Sequence, residues 1–279
     1  MVNLNEATLL VVGHGSTVNA ESALPARLHA ENLAGRGIFR EVMACYWKQE
    51  PKIAEVVSKV TTKHLFVVPL FISEGYFTQQ MIPRELGMSD GVALNFPRLQ
   101  AIGGREIHYC DPIGTHPGMT DLLLNRARAI VEQFPFPHAP LPSAISLFIA
   151  GHGTGNNENS RRAIEDQVEK LRASQRYASV HAIYIEEEPR IAACYELAVA
   201  RNIVVVPFFI SDGMHTDEDI PVFLGEAESI VKSRQASGQP AWRNPTEKRG
   251  KRVWYTTSIG SDPLVAEMIL ERVREATSA

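Results

Sequence analysis

Two histidines and one glutamate stand out because each follows a short apolar run typical of a buried strand. His152 comes directly after LFIAG, Glu186 directly after HAIYI, and His215 shortly beyond VVVPFFI. Neutral imidazoles and a carboxylate suit a borderline divalent metal ion such as iron(II), cobalt(II), nickel(II) or zinc. The same groups can accept protons near neutral pH. These residue types therefore indicate metal binding, proton transfer, or both.

The chain contains two copies of one sequence pattern. The stretch VVVPFFISDGMHTDEDIP (204–221) repeats FVVPLFISEGYFTQQMIP (66–83) at an offset of 138 residues, with ten of eighteen positions identical. A proline-rich stretch between the copies cannot continue a helix or a central strand, which is typical of a stiff connector. We therefore predict two homologous lobes, 1–134 and 143–279, joined by a linker at 135–142.

The first copy lacks two of the three residues that could do chemistry. It has Phe77 in place of His215 and Lys48 in place of Glu186, although the surrounding pattern is kept. If the fold alone required the histidine and the glutamate, the first copy would not lack both of them. We predict an active site in the second copy and a lapsed site in the first, where His14 is vestigial or lines the cleft between the lobes.

Apolar runs rich in β-branched residues alternate with segments of helical spacing in both copies. In RRAIEDQVEKLRAS (161–174), for example, apolar residues recur at positions 164, 168 and 171. This alternation predicts an α/β fold in which each lobe is an open, flavodoxin-like unit with a parallel sheet of about four strands. Ligands bind at the carboxyl ends of such strands, which is where we expect His152, Glu186 and His215 to meet.

The composition is that of a globular protein, with 44% hydrophobic and 22% charged residues and a net charge of -4. There is no apolar run of membrane-spanning length and no basic region of a signal peptide at the N-terminus. Three widely spaced cysteines argue against disulfides, a CxxC zinc site or an iron–sulfur cluster. Neither copy has a Walker loop or a GxGxxG turn. We expect a cytoplasmic protein without a nucleotide, membrane or nucleic-acid partner.

Three motifs together resemble one family, the class II tetrapyrrole chelatases of the sirohydrochlorin type. They are the Gly-His-Gly after the first strand, the segment SIGSDPLVAEMILERV (258–273), and a Gly-x-His-x-x-x-Asp-Ile-Pro motif after the third strand. The last motif is quite specific and falls on Gly213, His215, Asp219, Ile220 and Pro221. The resemblance covers both lobes and hence nearly the whole chain.

The resemblance implies a chelatase, a lyase that inserts cobalt or iron into sirohydrochlorin or a related tetrapyrrole in cobalamin or siroheme biosynthesis. It implies that His152 and His215 face the metal, with Glu186 as the acidic partner, or Glu187 if the register shifts by one. It implies no cofactor beyond the substrate metal (cobalt, iron or nickel). A chain with two lobes already supplies what single-lobe relatives gain by dimerising, which is compatible with a monomer.

Sirohydrochlorin carries carboxylates, and a chelatase for it needs cations and hydrogen-bond donors nearby. The segment 229–252 is strongly basic, although it could equally be a solvated loop. The candidate substrate-binding residues are Thr154, Arg161, Arg162, Arg249 and Arg252.

Other functions remain open on the sequence. A metal or tetrapyrrole carrier would keep the fold and bind without inserting metal. A phosphotransfer enzyme with His152 as nucleophile is disfavoured, because such chemistry needs an arginine before the histidine and Gly151 stands there. Nucleic-acid binding through 229–252 is disfavoured because the segment lacks the regular aromatic residues of a stacking platform.

Overall fold

The computed structural model of the protein describes residues 2–92, 95–153 and 158–278. The strands in this part of the chain are β1 (Ala7–Gly13), β2 (Glu41–Tyr46), β3 (His64–Pro69), β4 (Leu99–Ile102), β5 (Arg105–Tyr109), β6 (Ile145–Gly151), β7 (Ser179–Tyr184), β8 (Asn202–Pro207), β9 (Thr246–Lys248) and β10 (Lys251–Tyr255). The α-helices are α1 (Leu24–Gly35), α2 (Ile53–Lys59), α3 (Ile82–Glu85), α4 (Met119–Gln133), α5 (Glu158–Ala173), α6 (Cys194–Leu197), α7 (Ile220–Phe223), α8 (Glu228–Ala236) and α9 (Leu264–Ser278). None of the described helices is long and apolar enough to cross a membrane.

The strands form two five-stranded sheets with the same topology, β2-β1-β3-β5-β4 and β7-β6-β8-β10-β9. Four strands of each sheet are parallel, and the fifth, at the edge, is antiparallel. Every residue of the central strands β1 and β6 is buried, since helices cover both faces of a parallel sheet. The predicted α/β class with two lobes and parallel sheets is confirmed.

The fifth strand of each sheet was not predicted. Each is joined to its neighbour by a two-residue turn in which both residues have positive φ: Gly103 and Gly104 between β4 and β5, and Arg249 and Gly250 between β9 and β10. Such turns match the twist of antiparallel strands. The sequence left open whether the basic segment 229–252 is a solvated loop or a substrate contact. Part of it is a β-hairpin.

The chain divides into two compact units that do not coincide with the predicted lobes. The first unit combines the residues up to Pro117 with those from Gly260 onward, and the second unit is Gly118–Ile259. Helix α9 packs on β3 and β5 in the first unit, and α4 packs on β8 and β10 in the second. The predicted linker begins against β10, where Trp254 Nε1 donates to the Phe134 carbonyl over 2.9 Å.

The segment that follows Pro189 forms only a short helix. A single 3₁₀ turn at Ile191–Ala193 leads into α6, which ends at Leu197. Ile191 and Cys194 are buried in the core of the second unit, together with residues of β6, β8 and β10. This segment therefore packs on the sheet without forming a long helix, because β8 begins only five residues after α6 ends.

Candidate active site

His152, Glu186 and His215 all lie beyond the carboxyl ends of neighbouring strands. His152 follows β6 directly, Glu186 follows β7 by two residues, and His215 begins a π-helical turn, His215–Asp219, beyond β8. Because β6 lies between β7 and β8, the three loops meet at one edge of the sheet. The imidazole rings of His152 and His215 pack edge to face, with centroids 4.7 Å apart and an interplanar angle of 82°.

The ring of His152 is fixed by its own loop. Its Nδ1 lies 3.0 Å from the carbonyl oxygen of Gly153. A carbonyl only accepts, so Nδ1 carries the proton and the lone pair of the neutral ring is on Nε2. Gly153 has φ +66°, and a Cβ there would lie 3.0 Å from Cβ of Tyr184. The second glycine of Gly-His-Gly is thus required by the turn that orients the histidine.

The ring of His215 is fixed by Asp219, one turn further along the chain. Nδ1 of His215 lies 2.7 Å from Oδ2 of Asp219, which again leaves Nε2 with the lone pair. Carboxylates commonly orient metal-binding histidines in this way and raise the basicity of the other nitrogen. The hydroxyl of Thr216 accepts from the Gly213 amide, and the Tyr255 hydroxyl donates to the Thr216 carbonyl. These bonds hold the turn in place.

The carboxylate next to the histidines is that of Glu186. Its Oε2 lies 3.7 Å from Nδ1 of His152, and its side chain is 56% exposed. Glu187 instead pairs with Arg161 at 3.2 Å and is mostly buried. The glutamate backbone is also fixed, because the Glu186 amide donates to the His152 carbonyl over 2.9 Å. Of the two glutamates that the sequence left open, the structure brings Glu186 to the histidine pair.

Asp219→Asn is expected to lower the activity of this site about 10–100-fold, the usual cost of losing a carboxylate that orients a metal-binding histidine. Asparagine fills the same space without the negative charge that favours the Nδ1–H tautomer. Steady-state turnover at this site, or its affinity for cobalt(II), would measure the effect. Glu218→Gln, which removes the same charge one residue earlier, is the control and should change the rate little. Equal rates in wild type and Asp219→Asn would show that Asp219 does not position His215.

The first unit repeats this geometry with an aromatic ring in place of the second imidazole. Phe77 packs edge to face on His14, with centroids 4.8 Å apart and an interplanar angle of 87°. Trp47 and Phe71 also flank His14. Burial lowers the pKa of His14, and the nearby charge of Lys48 lowers it further. Phenylalanine and a cation are poor surroundings for a divalent metal ion.

The predicted substrate-binding residues fall into different places. Arg161 lies near Glu186 but is paired with Glu165 and Glu187, and Arg162 is exposed on α5. Thr154 lies outside the described residues.

Arg249 and Arg252 are not brought to the histidine pair. Arg252 is paired in register with Asn202, the first residue of β8, and so lies at the amino edge of the sheet, opposite His152. It bonds Glu247 and the Phe136 carbonyl. Arg249 is in the turn before β10, over the ring of Tyr195. The expectation that these two contact a substrate at the histidines is corrected, because a strand's two ends lie at opposite edges of its sheet.

Other arginines lie closer to the His215 turn. A cavity of about 670 Å³ is lined by Thr216 and Asp217 of that turn, and by Arg126, Arg234 and Arg243. Arg126 belongs to α4 and donates to the Thr257 carbonyl over 2.7 Å. Arg234 and Arg243 belong to the basic segment 229–252 that the sequence offered as a substrate contact. Arg126 was missed because it lies in the first copy of the sequence and reaches the second unit only through the placement of α4.

Comparison of this chain with known proteins finds a matching family and similar sequences. The model of the CbiX family matches the chain twice, at residues 8–130 and 146–276. A protein of Halobacterium salinarum named "probable sirohydrochlorin cobaltochelatase" is 36% identical over 278 residues, covering 96% of this chain and 91% of that protein. A sirohydrochlorin cobaltochelatase of Methanopyrus kandleri is 26% identical and covers 47% of this chain and 96% of its own length.

Solved structures share the fold. A multi-domain protein of Deinococcus radiodurans, described as structurally similar to chelatases, matches with a TM-score of 0.77 and 28% identity. The match covers 97% of this chain and 55% of that protein, so this chain spans about half of its length. SirB of Bacillus subtilis, solved with Fe³⁺, matches with a TM-score of 0.67 and 19% identity over 97% of this chain and 95% of SirB.

Proposed function

This chain belongs to the CbiX family, and from that premise we propose that it is a chelatase that inserts a divalent metal ion, cobalt or iron, into sirohydrochlorin or a related tetrapyrrole. The relatives from Halobacterium salinarum and Methanopyrus kandleri, both named for cobalt insertion into sirohydrochlorin, support this reaction. As a metal chelatase the protein would be a lyase.

The observation that carries the proposal is the pair of histidines His152 and His215. Their rings are in contact, and each Nδ1 is already bonded, to a carbonyl in one case and to a carboxylate in the other. Each Nε2 therefore offers a lone pair to an incoming ion or proton. Two neutral imidazoles and a nearby carboxylate match the ligands that first-row divalent metals prefer.

The reaction exchanges one divalent ion for two protons on the ring nitrogens of the tetrapyrrole. His152 and His215 would hold the metal ion through Nε2 while it loses its water. Glu186 would offset the charge of the ion. As the ion passes from each Nε2 to the ring nitrogens, the two protons would be taken up by the freed Nε2 atoms and the Glu186 carboxylate, and would then pass to water. Since Glu186 is more than half exposed, it can pass its proton to solvent.

The second copy of the sequence would carry the activity by itself. In the first, Phe77 and Lys48 replace a metal-binding imidazole and the carboxylate, so we propose that its site has lapsed and that His14 is vestigial. Arg161 and Arg162, at the start of α5, are the proposed contacts to substrate carboxylates, together with Thr154. We further propose a cytoplasmic monomer that needs no nucleotide and no cofactor beyond the substrate metal.

Absorption spectroscopy of sirohydrochlorin with cobalt(II), iron(II) or nickel(II) tests the proposal, because metallation changes the spectrum of the macrocycle. We expect turnover by the wild type, and a loss of about 100-fold in Glu186→Gln if the carboxylate accepts a proton. Glu187→Gln is the matched control, since Glu187 contacts Arg161 instead of His152, and it should keep the wild-type rate.

A different outcome would favour a carrier protein. If the wild type binds a stoichiometric amount of sirohydrochlorin but never metallates an excess, the chelatase proposal fails. Equal losses of turnover in Glu186→Gln and Glu187→Gln would show that the reaction depends on the total negative charge of this loop. The position of Glu186 would then have no special role.

A further inference from the structure

A second cluster of metal-binding side chains lies in the first unit, whereas the histidine pair belongs to the second unit. His64 is the first residue of β3, while Glu106 and His108 belong to β5. The two strands are parallel neighbours, with His64 opposite Glu106 and Phe66 opposite His108. Because alternate residues of a strand point to the same face, all four side chains share one face of the sheet. They lie at its amino edge, where β3 begins.

The distances in this cluster match the needs of a metal ion. Nδ1 of His64 lies 3.3 Å from Nε2 of His108 and 3.4 Å from Oε2 of Glu106. All three atoms lie within 4.8 Å of one another. Two ligands of a tetrahedral ion, each bonded at about 2.0–2.1 Å, are separated by about 3.3 Å. In the absence of an ion, the same 3.3 Å contact is a hydrogen bond between the two rings.

The surroundings hold His108 in a form suited to binding. Its ring stacks on Phe66, with centroids 4.4 Å apart and an interplanar angle of 22°. It is only 4% exposed, so packing holds the ring with its Nε2 beside His64. His64 and Glu106 are partly exposed, so an ion can reach them from solvent.

The two carboxylate oxygens of Glu106 face different neighbours. Oε1 faces Lys63 at 3.4 Å, and Oε2 faces His64. Lys63 is 70% exposed, so its ammonium can move into solvent when an ion binds. The carboxylate would then balance part of the charge of the ion.

The second unit shows that the fold does not require this cluster. Its equivalent strands pair in the same register, with Arg252 opposite Asn202 and Trp254 opposite Val204. Asparagine, arginine and tryptophan thus replace His64, Glu106 and His108, and the sheet forms equally well. An arginine at the centre excludes a cation there. The three ligand residues are particular to the first copy, and packing alone does not explain them.

We propose that His64, Glu106 and His108 bind a divalent transition metal ion of the zinc class, which links the beginnings of β3 and β5 and keeps one position for water. Three protein ligands with two imidazoles and one carboxylate suit zinc, which such sites bind more tightly than cobalt(II) or iron(II). The site is separate from the proposed chelatase centre and does not depend on that function.

The test uses the full chain carrying His215→Phe, so that the histidine pair of the second unit is disabled. Metal-free protein is titrated with zinc by calorimetry, and bound zinc is counted by elemental analysis after dialysis. We expect about one zinc ion per chain. Adding His64→Asn should weaken zinc binding about 100-fold or more, at least the cost of disturbing groups that merely orient ligands. Asparagine is the residue that the second copy has at this position.

His181→Asn is the matched control, since His181 also stacks on a phenylalanine, Phe148, within a sheet. It should leave zinc binding unchanged. Glu106→Gln provides a second, partly exposed variant that decides the question if His64→Asn does not fold. The proposal is overturned if the parent chain retains no zinc, or if both His64→Asn and Glu106→Gln bind it as tightly as the parent. Metal insertion by His64→Asn in the wild-type background should be unaffected, which separates this result from the chelatase assay.

Discussion

His215→Phe is expected to lower the rate of metal insertion into sirohydrochlorin by about 10²–10⁴-fold, the range for losing a group that accepts a proton in the rate-limiting step. The change removes one of the two Nε2 lone pairs and leaves Asp219 without its partner. It should not unfold the protein, because the first unit already places Phe77 at the matching position, 4.8 Å from His14. The Soret and visible absorption bands of the tetrapyrrole would report the rate.

Phe77→Leu is the control in the other copy of the sequence. It changes an apolar side chain at the same structural position and should leave turnover unchanged. Undiminished turnover in His215→Phe would place the chemistry elsewhere, with the His14 region the first to test. A loss of turnover together with a changed circular dichroism spectrum would point to misfolding instead.

Gly114→Ala is expected to destabilise the protein by about 3 kcal/mol, near the upper end of what forcing extra atoms into a packed region costs. A Cβ on Gly114 would lie 2.0 Å from the carbonyl oxygen of Ile72 and 2.3 Å from its carbonyl carbon. Both are backbone atoms, so no side chain can rotate away. The Gly114 amide also donates to the Phe71 carbonyl over 2.8 Å, which maintains the close approach.

Urea denaturation of wild type and Gly114→Ala would measure this loss as a lower midpoint. Gly35→Ala is the matched control, because a Cβ there meets nothing within 4 Å. It lies at the end of α1, where alanine is favoured over glycine by up to about 1 kcal/mol. Equal midpoints for wild type and Gly114→Ala would mean that the loop at Ile72 moves without cost.

The location of the histidine pair could be predicted from the sequence for a simple reason. Residues that follow consecutive strands of a parallel sheet lie close together at the carboxyl ends of those strands. The apolar runs that precede Gly-His-Gly and His215 can be recognised in the sequence. The carboxylate that orients His215 could also be predicted. Asp219 lies four residues after His215, which is the spacing of neighbours on a helical turn.

The antiparallel edge strands were missed because β4 and β9 are short and partly exposed, and so lack a continuous apolar run. Their turns did carry a signal. Gly103 and Gly104 form a pair typical of two-residue hairpins. Arg249 and Gly250 adopt the same positive φ with a weaker signature, since arginine rarely does so.

The sequence by itself determined the duplication, the alternation of strands and helices, and the choice of His152, Glu186 and His215 as candidates, because these depend on local pattern and on the geometry common to parallel sheets. Only the tertiary structure decided which helix covers which sheet. Helices α4 and α9 both present an apolar face to a sheet, with Leu122 and Leu123 buried on one and Ile269 and Leu270 on the other. The two apolar faces are so similar that either helix could cover either sheet. The sequence alone therefore cannot assign α4 or α9 to a unit.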